Sequence, residues 1–180
     1  MNTNDFERVL MTREQLAARV KELGEQITRD YAGKDLYVVC VLKGAIPFCA
    51  DLIRSIDLPI YLDCLCVSSY GSGTVTKGEV EFRLDLAGEV VGKDVLIVED
   101  ILDTGLTLSK VMSRLAKRGA RSMAICALMD KPERRTVPIE AKYVGFTIPD
   151  AFVVGYGLDY DQHYRNLDQV YVLAPHVYEK

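Results

Sequence analysis

Apolar residues recur along the chain with two periods, and the switches between them mark the elements. Leu16, Val20, Leu23 and Ile27 are spaced as on one helical face, which predicts a helix over about residues 13–29. Thr12-Arg13-Glu14-Gln15 fits a capping box at its start, with Met11 and Leu16 placed to staple the first turn. Residues 36–42 (LYVVCVL) are apolar throughout, as a strand buried on both faces must be. Gly44 follows, then an amphipathic segment over about 47–56 with a proline near its first turn. Residues 60–68 read as a strand. Residues 69–78 (SYGSGTVTKG) are rich in glycine and hydroxyls, bury little and read as a loop. Val80, Phe82, Leu84 and Leu86 alternate with polar residues, giving a half-exposed strand over 79–86. Residues 94–98 form another buried strand and give way to acidic and small residues. A helix over about 106–117 ends at Gly119, and further strands fall at 122–129, 143–148 and 169–173.

Strand and helix alternate through the middle of the chain, so the expected fold is α/β, with a mostly parallel central sheet flanked by helices. Ligands in such folds bind beyond the C-terminal ends of the strands, which directs attention to the residues just after Leu42, Val98, Met129 and Ile148. There is no repeat, low-complexity tract or linker-like stretch, so one domain is expected over residues 1–180.

Composition narrows the class. Apolar residues make up 49% and charged residues 27%, which argues against disorder. Acidic residues outnumber basic ones 26 to 22, a net charge of −4 that speaks against a general nucleic-acid or anionic-membrane binder. No apolar run approaches the roughly 18 residues of a membrane helix, and the polar start MNTNDFERVL is unlike a signal peptide, so a cytoplasmic protein is expected. The five cysteines, at 40, 49, 64, 66 and 126, form no CxxC and read as reduced thiols, most of them in apolar strands. The two histidines, His163 and His176, have no ligand-spaced partner, so neither a zinc site nor a histidine-dependent triad is expected.

The most informative stretch is Val95 to Thr107, VLIVEDILDTGLT. An apolar strand leads to Glu99 and Asp100, and Asp103-Thr104-Gly105-Leu106-Thr107 then turns into a helix. Backbone N–H groups at such a helix start form an anion site, and the hydroxyls of Thr104 and Thr107 add donors. The stretch matches neither the Walker nor the dinucleotide-binding pattern. Read alone, it is also compatible with an acidic strand end in which Asp103 or Thr104 merely caps the helix.

VLIVEDILDTGLT closely resembles the 5-phosphoribosyl-1-diphosphate (PRPP) motif of the type I phosphoribosyltransferases. The resemblance implies that Asp103, Thr104, Gly105, Leu106 and Thr107 bind the 5-phosphate, while Glu99 and Asp100 face the ribose hydroxyls and their Mg²⁺. Leu42-Lys43-Gly44 resembles the family's diphosphate loop, in which backbone N–H groups of the lysine and glycine positions meet the leaving group and a non-proline cis peptide often precedes the lysine. Leu128-Met129-Asp130-Lys131 resembles the hypoxanthine-guanine branch, where this lysine bonds the purine 6-oxo group. Residues 148–160 (IPDAFVVGYGLDY) resemble the purine-binding segment of the same branch. There Phe152 stacks on the base, Val153 reads its edge through the backbone, Asp159 meets a Mg²⁺ on the diphosphate, and Arg165 contacts the diphosphate. Taken singly, Lys43-Gly44 is commonplace, Lys131 reads as a solvated charge and Phe152 as a core residue. Their linear order around the PRPP motif, in a resemblance running from about 36 to 173, assigns them roles.

The resemblance further implies a small hood of C-terminal residues over the site and a mobile loop at about 69–78, with Ser69 and Tyr70 closing over the diphosphate. It implies transfer of the 5-phosphoribosyl group from PRPP to N9 of hypoxanthine or guanine, with Mg²⁺, and with Asp103 as general base near N7. A homodimer or homotetramer is expected, with no nucleic-acid partner. Two alternatives are a xanthine-preferring enzyme and a nucleotide-sensing, RNA-binding regulator on the same fold. The purine-binding segment and the acidic balance weigh against the regulator.

Overall fold

The computed structural model describes residues 3–69 and 80–179. Thr12 opens helix α1 (Arg13–Asp30) with both halves of the capping box formed: its hydroxyl accepts from Gln15 N at 3.3 Å, and the Gln15 side-chain oxygen accepts from Thr12 N at 2.9 Å. The expected apolar stripe, Leu16, Val20, Leu23 and Ile27, is the face that α1 buries.

That stripe packs on a six-stranded sheet of β2 (Leu36–Leu42), β3 (Ile60–Ser69), β4 (Val80–Leu84), β5 (Asp94–Leu102), β6 (Ser122–Asp130) and β7 (Tyr143–Thr147), ordered β4-β3-β2-β5-β6-β7. Every neighbouring pair is parallel except β3 with β4, which is antiparallel. β2 shows why its sequence is apolar without a break. Leu36, Val38 and Cys40 face one core, together with α1 and α2 (Ile46–Arg54), whereas Tyr37, Val39 and Val41 face the other, together with α3 (Leu106–Lys117). The sheet therefore has a helical layer on each face, and the C-terminal ends of β2, β5, β6 and β7 share one edge. All five cysteines are free thiols; Cys40, Cys49 and Cys126 are buried, and Cys64 and Cys66 are half-buried.

The structure departs from the sequence reading in three places. β5 runs on to Leu102 rather than stopping at Val98, because its backbone stays in register with β6 through Ile101↔Met129 and Leu102↔Asp130. Glu99 and Asp100 are thus part of the strand. Second, a three-stranded sheet, β1-β9-β8, is built from both ends of the chain: β1 (Phe6–Met11), β8 (Val153–Val154) and β9 (Val170–Leu173). β1 carries no readable alternation, since three consecutive residues, Glu7 to Val9, are exposed and its pairing with β9 shifts register twice. The strand expected near 169–173 exists but belongs to this sheet, and the hood includes the N-terminal strand as well as C-terminal residues. Third, a short helix α4 (Pro175–Tyr178) ends the described chain. Beyond Ser69, the loop expected over 69–78 lies outside the described residues, and so does Tyr70.

The first residue of β5, Asp94, is buried and charged. Its carboxylate accepts from Arg121 Nε at 3.1 Å, from a second Arg121 nitrogen, and from Ser122 Oγ at 2.5 Å. The Arg121 guanidinium holds its pKa down, to about 2. A carboxyl whose pKa is lowered by folding stabilises the folded state above its unfolded pKa, and that stability is lost as pH falls towards the folded value. Replacement of Asp94 by Asn is expected to cost about 1–2 kcal/mol near pH 7, discounted for the half-exposed arginine. In denaturant titrations the gap to the wild-type chain should close between about pH 4 and pH 2. A gap independent of pH would show that the ion pair contributes nothing.

Candidate active site

Two adjoining cavities open where the parallel strands end. The first is a cleft of about 480 Å³ between the ends of β2 and β5. At the end of β2 the Leu42–Lys43 peptide is cis, and Lys43 and Gly44 line the cleft. Across from them Asp100 lies so close that a Cβ on Gly44 would fall 1.5 Å from its Oδ2. After β5 the chain turns through Asp103, Thr104 and Gly105 into α3, and these residues line the same cleft together with Thr107. Gly105 adopts φ 83°, and a Cβ there would meet Ile139 at 2.4 Å, so the turn requires glycine. The Thr104 carbonyl is pinned from outside by Thr136 N at 3.0 Å. The N-cap of α3 is Gly105; the Thr104 hydroxyl accepts from Leu106 N at 3.4 Å, whereas the Asp103 carboxylate pairs with Arg134. The first N–H groups of α3 face the cleft end of the helix without intrahelical partners, as an anion site needs. Leu106, also expected at the phosphate, is partly exposed at the first helical position.

The third wall comes from the hood. Residues 155–165 fold back through two isolated bridges, Gly155↔Leu158 and Tyr160↔His163. Tyr156, Asp161, Gln162 and Tyr164 all have positive φ, a concentration of costly backbone that surrounding structure must hold in place. The result aims Asp159, Gln162 and Arg165 at Lys43 and Gly44. Arg165 pairs with Asp159 at 2.7 Å and donates to the Gly157 carbonyl at 2.8 Å, while its Nε is buried without a partner among the described residues. Gln162 Oε1 accepts from Lys43 Nζ and from Arg165, each at 3.4 Å. Asp159, expected in the purine-binding segment, thus sits on the Arg165 side of the site.

The second cavity, of about 430 Å³, lies beyond β6 and β7. Lys131 is buried, and its Nζ donates to the Ala151 carbonyl at 2.7 Å and approaches Asp150 Oδ1 at 3.4 Å. Phe152 is 39% exposed and stacks on Tyr178 of α4, with ring centroids 4.9 Å apart and planes 20° apart. Val153 and Tyr178 also line this cavity. Ile101 and Asp103 line both cavities, and Asp103 is the ionisable one of the two.

The electrostatics of the two sides differ. Burial raises the pKa of Glu99 well above the carboxylate range, and the adjacent Asp100 charge adds to this. Burial also raises Asp100, partly offset by its hydrogen bond with Glu99, by the Ile101 N–H and by Arg165. On the other side Arg134, and then Lys131, hold Asp150 below its ordinary value. Carboxylate oxygens of Glu99, Asp100 and Asp159 are donors suited to a hard cation. Among the described residues, no group of three or more histidine, cysteine, aspartate or glutamate side chains is arranged to hold an ion unaided.

The residues singled out from the sequence thus meet at one sheet edge. The expected lid pair is the exception, with Ser69 at the end of β3 and Tyr70 outside the described residues. Sequence reading passed over Gln162, Arg134 and Tyr178. Gln162 lies between two residues it did select, and Asp159-x-x-Gln162-x-x-Arg165 is a spacing that could have raised it.

A parallel sheet of this order, with a turn into α3 after β5 and a hood facing it, places the cleft where α/β proteins bind ligands, beyond the C-terminal ends of the strands. The family model for the phosphoribosyl transferase domain matches residues 10–161, and the chain belongs to that family. It is 49% identical over 180 residues, the whole of both chains, to a hypoxanthine-guanine phosphoribosyltransferase of Streptococcus thermophilus. It is 50% identical over 179 residues, 99% of each chain, to the enzyme of that name from Bacillus subtilis. Among solved structures, a hypoxanthine phosphoribosyltransferase from Staphylococcus aureus superposes with a TM-score of 0.95 at 50% identity, covering 98% of this chain and 96% of that one.

Gly157 brings the hood against the loop after β2. Its φ is 101°, and a Cβ there would fall 2.0 Å from the Gly44 carbonyl oxygen. Gly157→Ala is expected to destabilise the fold by about 2–4 kcal/mol in denaturant titrations, combining backbone strain with the clash. Gly33→Ala is the control: φ is 75° there but nothing lies within 4 Å of the added Cβ, so only about 1–2 kcal/mol should be lost. Equal losses would mean that the close approach to Gly44 adds nothing.

Proposed function

We propose that the chain is a purine-salvage transferase that moves the 5-phosphoribosyl group of PRPP to N9 of hypoxanthine or guanine, giving IMP or GMP and diphosphate. The position of Asp103 carries this reading: it belongs at once to an anion-binding cleft and to an aromatic cavity with a buried lysine. A reaction joining a phosphorylated sugar to a flat polar base needs such a junction.

In this reading the turn from Asp103 to Thr107 takes the 5-phosphate, through backbone N–H groups and the hydroxyls of Thr104 and Thr107. Lys43, Gly44 and Arg165 receive the diphosphate. Glu99 and Asp100 hold the ribose hydroxyls. Mg²⁺, held by Glu99, Asp100 and Asp159 together with substrate oxygens, would screen the charge of the diphosphate. In the second cavity Lys131 has three N–H groups and uses two of them on Ala151 and Asp150, so one remains for the purine 6-oxo group. Adenine presents a donor at that position, and a site built to pair a carbonyl rejects it. Phe152 supports the ring, and the Val153 backbone meets its edge. As N9 bonds to C1, the bond from C1 to the diphosphate oxygen breaks, and the purine proton at N7 passes to the Asp103 carboxylate.

No helix among the described residues is long and apolar enough to cross a membrane. The cytoplasm, with its reducing conditions, suits five free thiols, and a homodimer or homotetramer is the assembly we propose.

The test is nucleotide formation from PRPP and Mg²⁺ with hypoxanthine, guanine, xanthine and adenine in parallel. Hypoxanthine or guanine should be consumed and adenine left untouched, with the rate ratios fixing the place of xanthine. No product from any 6-oxopurine would overturn the reading. Asp103→Ala should lower kcat by roughly 10²–10⁴-fold with little change in KM for PRPP. An unchanged kcat would remove Asp103 from the proton-accepting role.

A further inference from the structure

Arg134 lies in none of the segments that pointed to the site, yet it joins two of its parts. It closes the 3-10 turn Pro132–Arg134 after β6. Its Nε donates to Asp103 Oδ1 at 2.6 Å, and its Nη1 reaches Asp150 Oδ2 at 3.1 Å and Oδ1 at 3.5 Å. Asp150 is in turn the neighbour of Lys131 Nζ at 3.4 Å. These four side chains run in sequence, Asp103–Arg134–Asp150–Lys131, along the wall of the second cavity. One end accepts a proton in the proposed transfer and the other reads the base.

A 6-oxopurine carries O6 and N7 side by side on one edge. The two protein groups that meet that edge must therefore stand a fixed distance apart. Asp103 follows β5, whereas Lys131 and Asp150 follow β6 and β7, so no single element sets that distance. We propose that Arg134 is a positioning residue for the transfer: by bridging Asp103 and Asp150 it sets the spacing between the carboxylate that meets N7 and the ammonium that meets O6. The inference rests on the transferase reading above. A guanidinium suits the task because its donors are held in a rigid plane and can engage two carboxylates at once, whereas a lysine offers a single flexible point charge. Loss of the bridge leaves both ends present but misplaced, and small misplacements of a reacting group lower turnover more than binding.

The experiment is steady-state kinetics on wild-type protein, R134Q, D103N and the double variant, with hypoxanthine and PRPP·Mg²⁺. Arg134 is partly exposed on a short turn, so folding should survive, and thermal melting of each variant checks this. We expect R134Q to lower kcat about 10- to 100-fold with KM for PRPP within about twofold of wild type. The double variant should be no worse than D103N, because Arg134 acts through Asp103. R134K, which keeps the charge but not the fork, should stay nearer R134Q than wild type. The proposal is overturned if the losses of R134Q and D103N multiply, if R134Q keeps wild-type kcat, or if R134K restores it fully. Inactivity of the wild-type chain with hypoxanthine and with guanine would instead overturn the transferase reading on which the proposal stands.

Discussion

A strand covered on both faces must be apolar along its length, and β5 obeys this from Val95 to Val98 before breaking it with Glu99 and Asp100. Backbone pairing with β6 carries the strand onward, so two half-buried carboxyl groups are held at the sheet edge, on the wall of the cleft. Burial raises both pKa values, and the Asp100 charge raises Glu99 further, an arrangement that costs stability in the absence of a partner. Much of the site can be understood as the surroundings that make this acidic pair useful. Arg165 supplies positive charge from the hood, Gly44 leaves room beside Asp100, and the turn after Leu102 sets the N-terminus of α3 next to the acids.

The hood exists to bring such partners from far along the chain. Its sheet joins the N-terminal β1 to β9 and β8, and its apolar residues Val153, Val170 and Val172 merge with the core that covers one face of the central sheet. The hood is thereby anchored through packing, while Gly157 touches the loop after β2 through backbone alone. Rigid attachment matters because Asp159, Gln162 and Arg165 sit on a stretch with four non-glycine residues at positive φ, a conformation that local preference would not select.

Parts of this were legible in the sequence for identifiable reasons. The capping box at Thr12 and the unbroken apolar run of β2 are local signals, and both formed as read. The motif from Val95 to Thr107 was legible because strand, acids, turn and helix are contiguous. β1 was not, because a strand exposed at three consecutive residues, with irregular register, has no alternation to display. α4 is four residues long, too short to show a period. The extension of β5 was missed because the side-chain pattern ends at Val98, whereas the pairing that sustains the strand is a property of β6. Arg134 and Tyr178 were hidden for a related reason: each acquires a role only through residues brought near by the fold, Asp103 and Asp150 for one, Phe152 for the other.

Asp103 draws these threads together. Under the proposed roles its carboxylate is unfavourably placed, since a phosphate bound at the turn would bring two negative groups close together. The Asp103 side chain is engaged instead in an ion pair with Arg134, and it is the Thr104 hydroxyl that meets Leu106 N at the helix start. The carboxylate is thereby tied to Arg134, which lines the cavity of Lys131 and Phe152, while the Asp103 backbone remains part of the turn. For Asp103 to serve both a phosphate and a base, as proposed, its main chain and side chain must be directed apart, and Gly105, at φ 83°, lets α3 begin immediately after the turn.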